Sequence, residues 1–95
     1  MTKKKSYRKA FKILNDAIEA NIVIEDAFIT SHMAKADSMQ HDLNNAYTDD
    51  EKTRATGERD IAIYNAEKHL LTLRRLETLR GMFDAFRVDF KRIIK

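Results

Sequence analysis

The chain has 95 residues and a mass of 11.1 kDa, enough for one small core and no second. It has no cysteine, proline or tryptophan and two glycines, Gly57 and Gly81, with 35% charged residues and a net charge of +3. That composition excludes disulfides and cysteine-ligated metals, leaves no glycine cluster for a phosphate loop, and lacks the turn residues of a β-sandwich or barrel.

At the N-terminus, Met1-Thr2-Lys3-Lys4-Lys5 is followed by Ser6, Tyr7, Arg8 and Lys9, not by the apolar run of a secretory signal. The longest apolar runs, Ile22-Val23-Ile24 and Ile61 to Tyr64, fall far short of the ~20 residues of a membrane span. The expectation is a cytoplasmic protein with no membrane partner. It forms a single helical domain over 1–95, with residues 1–5 as a flexible basic tail.

The fold expected is all-α: a long antiparallel helical hairpin with helices at about 6–46 and 49–94. No glycine or proline interrupts the stretch from Ser6 to Tyr47. The first helix follows an eleven-residue spacing better than a seven-residue one, in the series Phe11, Ile22, Met33; Leu14, Glu25, Ala36, Tyr47; and Ile18, Ile29, Gln40. A period near 3.67 gives a nearly straight stripe. Asn15-Asp16, Asn21 and Thr30-Ser31 are places where side-chain hydrogen bonds compete with the helix. A break at any of them would give three or four helices, and both readings stay open at this point.

Asn44-Asn45 then offers turn geometry, and Thr48-Asp49-Asp50-Glu51 is a capping box with three acids in the first turn, where the helix dipole favours negative charge. A rival start is Thr56-Gly57-Glu58. In the second helix Leu76, Leu79, Phe83, Phe86, Phe90 and Ile93 alternate in steps of three and four, a heptad seam. The same register runs back through Thr72, His69, Asn65, Ala62, Glu58 and Ala55. Gly81, inside this run, costs roughly 1 kcal/mol against alanine and would suit a kink or a close helix approach.

Two helices bury one stripe each, so several apolar side chains are left over. Ile22, Ile29, Ile63, Leu70, Leu71 and Leu73 are the candidate self-association residues, with Ile24, Val88 and Ile94 beside them. A contiguous exposed patch of this kind marks an interface, and the expected assembly is a homodimer, a four-helix bundle of two hairpins. His69, on the polar part of the seam, is expected to set register and, in a dimer, to lie near its twin and make association pH-sensitive.

Charge is sorted along the chain. Residues 1–14 carry +6, residues 15–60 carry −7 and residues 61–95 carry +4. A hairpin brings the two basic segments together and puts the acidic turn at the far tip. Lys4, Lys5, Arg8, Lys9, Lys12, Arg80, Arg87, Lys91 and Arg92 form the candidate basic partner-binding patch. Phosphates would neutralise such a patch in a salt-dependent way. Asp84 and Asp89 interrupt it, and no helix-turn-helix pattern is visible.

Catalytic and cofactor chemistry finds no constellation. Ser6, Ser31 and Ser38 lack a nucleophile elbow. Glu67 and His69 are two apart and diverge, so no Glu-x-x-His metal pair exists, and His-Glu-x-x-His is absent. His32 and His41, nine apart, make only a weak metal pair. No catalytic, cofactor or metal site is expected. The functional expectation is a non-enzymatic helical interaction protein that binds another macromolecule, in a regulatory, inhibitory or assembly role. A phage or other mobile element is a natural home for such a chain. The alternative is a dimeric nucleic-acid-binding regulator using the basic terminal end.

Overall fold

A computed structural model describes residues 3–93, with side chains from 5 to 92. Two helices, α1 (Lys3–Asn44) and α2 (Asp49–Ile93), pack against each other along their whole length. The result is the expected antiparallel hairpin, a rod of 70 × 19 × 13 Å. Helix α1 begins at Lys3, so the part of the basic tail that is described forms its first turn.

Helix α1 does not break at any of the three weak places. Asn21 Nδ2 donates to the Ala17 carbonyl at 2.8 Å and Thr30 Oγ1 to the Asp26 carbonyl at 3.0 Å. Both side chains thus bond back one turn within the helix instead of competing with it. Asp16 accepts from Lys12 Nζ, four residues earlier, at 3.0 Å, a pair that supports a helix surface.

The turn is four residues long and needs no left-handed residue; among the described residues none has a positive φ. Asn45 closes α1: its backbone N–H donates to the His41 and Asp42 carbonyls, both at 3.2 Å, and its side-chain amide to the His41 carbonyl at 2.8 Å. These bonds occupy carbonyls that a helix end leaves without partners. Thr48 caps α2, its Oγ1 accepting from the Glu51 N–H at 3.1 Å. Glu51 reaches back one residue further than a capping box requires and accepts from the Tyr47 N–H at 3.1 Å. The rival start at Thr56 is overruled, since α2 runs straight through Gly57.

Both helices present a strict seven-residue repeat to each other. On α1 the inward positions are Phe11, Asn15, Ile18, Ile22, Glu25, Ile29, His32, Ala36, Met39 and Leu43; on α2 they are Ala55, Arg59, Ala62, Ala66, His69, Leu73, Leu76, Arg80, Phe83, Arg87 and Phe90, all buried or half-buried. The eleven-residue period expected for α1 is therefore replaced by a heptad, and Leu14, Met33 and Tyr47 lie outside it as exposed residues. On α2 one half of the expected seam is correct (Ala55, Ala62, His69, Leu76, Phe83, Phe90). The other half, Glu58, Asn65, Thr72, Leu79 and Phe86, is one residue out of step, and the side chain of Ile93 lies outside the described residues. Leu79 and Phe86 were expected inside and are 50% and 57% exposed, while Arg80 and Arg87 are half-buried.

The seam changes character along the rod. Near the turn it is built on Ala36, Ala55, Ala62 and Ala66, all buried; small side chains let helix axes approach. Near the termini it is aromatic. Phe11 meets Phe83, Phe86 and Phe90 edge-on with ring centroids 5.3–6.0 Å apart, and Tyr7 meets Phe90 at 4.7 Å, the geometry that aromatic quadrupoles favour.

Candidate interaction surfaces

The seam register fixes what each broad side of the hairpin shows. Positions flanking the seam on one side are Leu14, Asn21 and Phe28 of α1 and Thr72, Leu79 and Phe86 of α2, with Ile24, Ile61 and Met82 one step further out. The large apolar members of this set are all exposed. Phe28 lies over His69, centroids 4.7 Å apart and nearly parallel, and Phe86 stacks on Phe90 at 5.9 Å, which ties both to this side. The opposite side carries Lys12, Asp16, Glu19, Asp26, Asp60, Glu67, Arg74, Glu77, Asp84 and Lys91, interrupted by Val23, Met33, Leu70 and Val88. Over the stretch from Leu14 to Phe28, with Leu79 to Phe86 alongside, one face of the rod is thus mainly apolar and the other mainly charged.

The six residues expected to mediate self-association separate. Ile22, Ile29 and Leu73 are half-buried between the two helices, because the heptad seam passes through them. Ile63 is half-buried at the seam's charged edge, and Leu70 and Leu71 are exposed on the outside of α2. The seam consumes the first three; Leu79, Met82 and Phe86, which sequence reasoning placed inside or passed over, take their place on the surface.

The basic patch is brought together in part. Arg8, Lys12, Arg87 and Lys91 line one open cleft with Phe11 and Asn15, and Lys5, Lys9 and Arg92 are exposed at the same end. The side chain of Lys4 lies outside the described residues. Three of the cations have carboxylate neighbours: Lys12 with Asp16 at 3.0 Å, Arg87 with Asp84 at 3.9 Å, and Arg80 with Glu19 at 2.9 Å. Arg80 is not part of the cleft. Its guanidinium donates across the seam to Glu19, and that hydrogen bond and charge raise its pKa further above its ordinary value.

The polar residues of the seam are paired across it. His69 Nδ1 lies 2.6 Å from Glu25 Oε2, and its ring stacks on Phe28 and, at 5.4 Å, on His32. His69 thus has partners within its own chain. Arg59 donates to Gln40 at 2.8 Å and to Asp60 at 3.0 Å. Among the described residues no buried side-chain polar atom lacks a partner. His32 and His41 do not meet: the first faces His69, and the second sits at the turn with its ring 3.4 Å from the Asn45 amide. No group of three or more His, Asp or Glu side chains among the described residues is placed to hold a metal ion. None of the described helices is long and apolar enough to cross a membrane.

No family model, curated protein or solved structure matches the chain.

Proposed function

We propose that this chain is a helical interaction protein that binds another macromolecule through its exposed helix faces, in a regulatory, inhibitory or assembly role and without catalysis of its own. The observation that carries this reading is how little of the apolar surface the hairpin encloses. Among the described residues the buried apolar side chains are Ile18 and four alanines, whereas leucines, isoleucines, phenylalanines and Met82 remain exposed. A contiguous apolar strip on a helical rod is a surface for a partner. Each such side chain contributes roughly 1.5–3 kcal/mol when fully buried, so a few of them offset the cost of association.

The test is capture from an extract of the organism that carries the chain, using the tagged protein and two variants that alter one face each, Met82→Glu and Val23→Glu. A partner retained by one variant and lost with the other supports the reading. Failure of the unaltered chain to retain any macromolecule above background refutes it.

A second reading is favoured by one observation, the cleft at the terminal end lined by Arg8, Lys12, Arg87 and Lys91. In that reading the chain is a nucleic-acid-binding regulator acting as a dimer. Four phosphate contacts would give a logarithmic salt slope of about −3 to −4, and the Lys12–Asp16 and Arg87–Asp84 pairs lower that ceiling. Fluorescence anisotropy with generic RNA and DNA at two salt concentrations measures the slope. A steep slope lost in an Arg8→Ala, Lys91→Ala variant supports this reading; affinity indifferent to salt and to both substitutions removes it.

A further inference from the structure

The apolar side of the hairpin carries an exposed strip with opposite charges beyond its two ends. Across the seam Tyr7 lies beside Phe90, Glu19 beside Arg80, Phe28 beside His69 and Gln40 beside Arg59. On that register Phe86 is level with Lys12, Met82 with Asp16 and Leu79 with Glu19. Leu14, Ile24, Phe28, Leu79, Met82 and Phe86 therefore form one strip, running from the level of Lys12 to that of Phe28. Its midpoint lies near Ala20.

We propose that a second copy of the chain packs on this strip in antiparallel orientation. The two-fold axis crosses the rod at the level of Ala20, and α1 lies against α1 and α2 against α2 in a four-helix bundle. The proposal rests on the reading of the chain as an interaction protein and goes beyond it by naming the face, the occupant and the orientation.

Three observations select this arrangement. The first is area. The six side chains are about half exposed, from 47% for Phe28 to 66% for Met82, which leaves on the order of 90 Å² apiece to be covered. Together they supply roughly two thirds of the ~800 Å² per partner of a standard stable interface, and the exposed Ala10, Ala17, Asn21 and Thr72 on the same side add to it.

The second is charge. Asp89 and Lys68 occupy equivalent outer positions on this side of α2, one beyond each end of the strip, level with Lys9 and Thr30. The two-fold sets Asp89 of each copy opposite Lys68 of the other. Lys68 now extends over the Tyr64 ring, 5.4 Å from its centroid, and is free in geometry to turn outward from that exposed contact. The same operation moves the basic termini of the two copies apart, whereas a parallel packing would set them side by side.

The third is what stays outside. With the axis at Ala20, the turn-proximal Asp42, Arg54 and Glu58, which share this face, project beyond the overlap. A parallel, full-length overlap would bury them, at the desolvation cost of buried charge. Arg75 lies within the strip and lines one open surface groove with Leu79 and Met82; its long stem lets the guanidinium stay in water, as long cationic side chains do.

The experiment combines mass and orientation. Sedimentation equilibrium at micromolar concentration is expected to give about 22 kDa, twice the 11.1 kDa of the chain. Met82→Glu and Leu79→Glu are each expected to raise the dissociation constant about tenfold or more, with helicity retained by circular dichroism. Val88→Glu and Leu71→Glu, on other faces, leave the mass unchanged. The chain has no cysteine, so orientation is read with single-cysteine variants and a short bis-maleimide. Ala10→Cys mixed with Ser31→Cys cross-links between copies, and neither variant alone does, since the two positions lie roughly 30 Å apart along one helix. Both are exposed, non-seam residues, so this arm does not depend on disturbing the fold. A mass of 11.1 kDa overturns the proposal, as does a dimer that withstands both Met82→Glu and Leu79→Glu, or one without the mixed cross-link. A monomer that still captures a host macromolecule would sink the second copy alone and leave the wider reading standing.

Discussion

Replacing Gly57 and Gly81 by alanine is expected to stabilise the chain, and the structure supplies the magnitude. Both glycines sit inside α2, away from its ends, with ordinary helical backbone. A Cβ built on either meets no atom within 4 Å, so alanine brings no clash and forfeits no contact. What remains is the conformational freedom that glycine loses on folding, about 0.5–1 kcal/mol per site. The sites are 24 positions apart and share no neighbour, so the effects should add to about 1–2 kcal/mol. At roughly 4–8 °C per kcal/mol for a domain of this size, the double variant should melt about 5–15 °C higher. Thermal unfolding followed by far-ultraviolet circular dichroism, at one fixed protein concentration because association shifts the midpoint, measures it. Gly81 lies on the charged side of the rod. A loss of stability in Gly81→Ala would mean that something closes on that side in solution, and would refute both the open-space reasoning and the choice of the apolar side for the second copy.

Three further substitutions probe the seam and the turn. Ala62→Leu adds three carbons at a site 2% exposed where the helices meet on small residues; it should destabilise by about 1–3 kcal/mol, read from the urea midpoint. Ile18→Ala, at the largest of the buried side chains, 8% exposed, should cost about 2–3 kcal/mol on the same assay; an effect below ~0.5 kcal/mol would contradict its enclosure. Thr48→Ala removes the oxygen that accepts from the Glu51 N–H and should cost about 1 kcal/mol, while Thr48→Asn or Thr48→Asp should preserve most of the stability.

The hairpin and its turn were legible in the sequence because their signals are local. Thr48 and Glu51 announce a helix start within four residues, and the absence of glycine and proline before Tyr47 permits one long helix. The partnering of the helices was only half legible, since hydrophobicity alone misassigns a seam that contains charged groups. Leu79 and Phe86 are greasier than Arg80 and Arg87, so the apolar pattern places them inside. The fold instead turns the arginines inward, where Glu19 and Asp84 receive them, and leaves the leucine and phenylalanine on the surface. In α1 the inward Asn15, Glu25 and His32 hide the seven-residue repeat in the same way, and Glu25 is legible as an inward residue only once His69 stands 2.6 Å from it. The exposed strip was therefore invisible as a unit: half of it had been assigned to the interior.

The four-residue turn is the sole covalent bridge between the arms, and it has a consequence for how the chain assembles. Contacts beside it join residues close in sequence, such as Gln40 with Arg59, whereas Tyr7 and Phe90 at the other end are separated by nearly the entire chain. Closing the short loop loses less entropy than closing the long one, so the arms should zip outward from the capped bend, and the aromatic clasp should snap shut last and open first. In the single chain, amide exchange would then slow progressively from the chain ends toward the bend. The end that carries the cations is, on this account, the one that breathes.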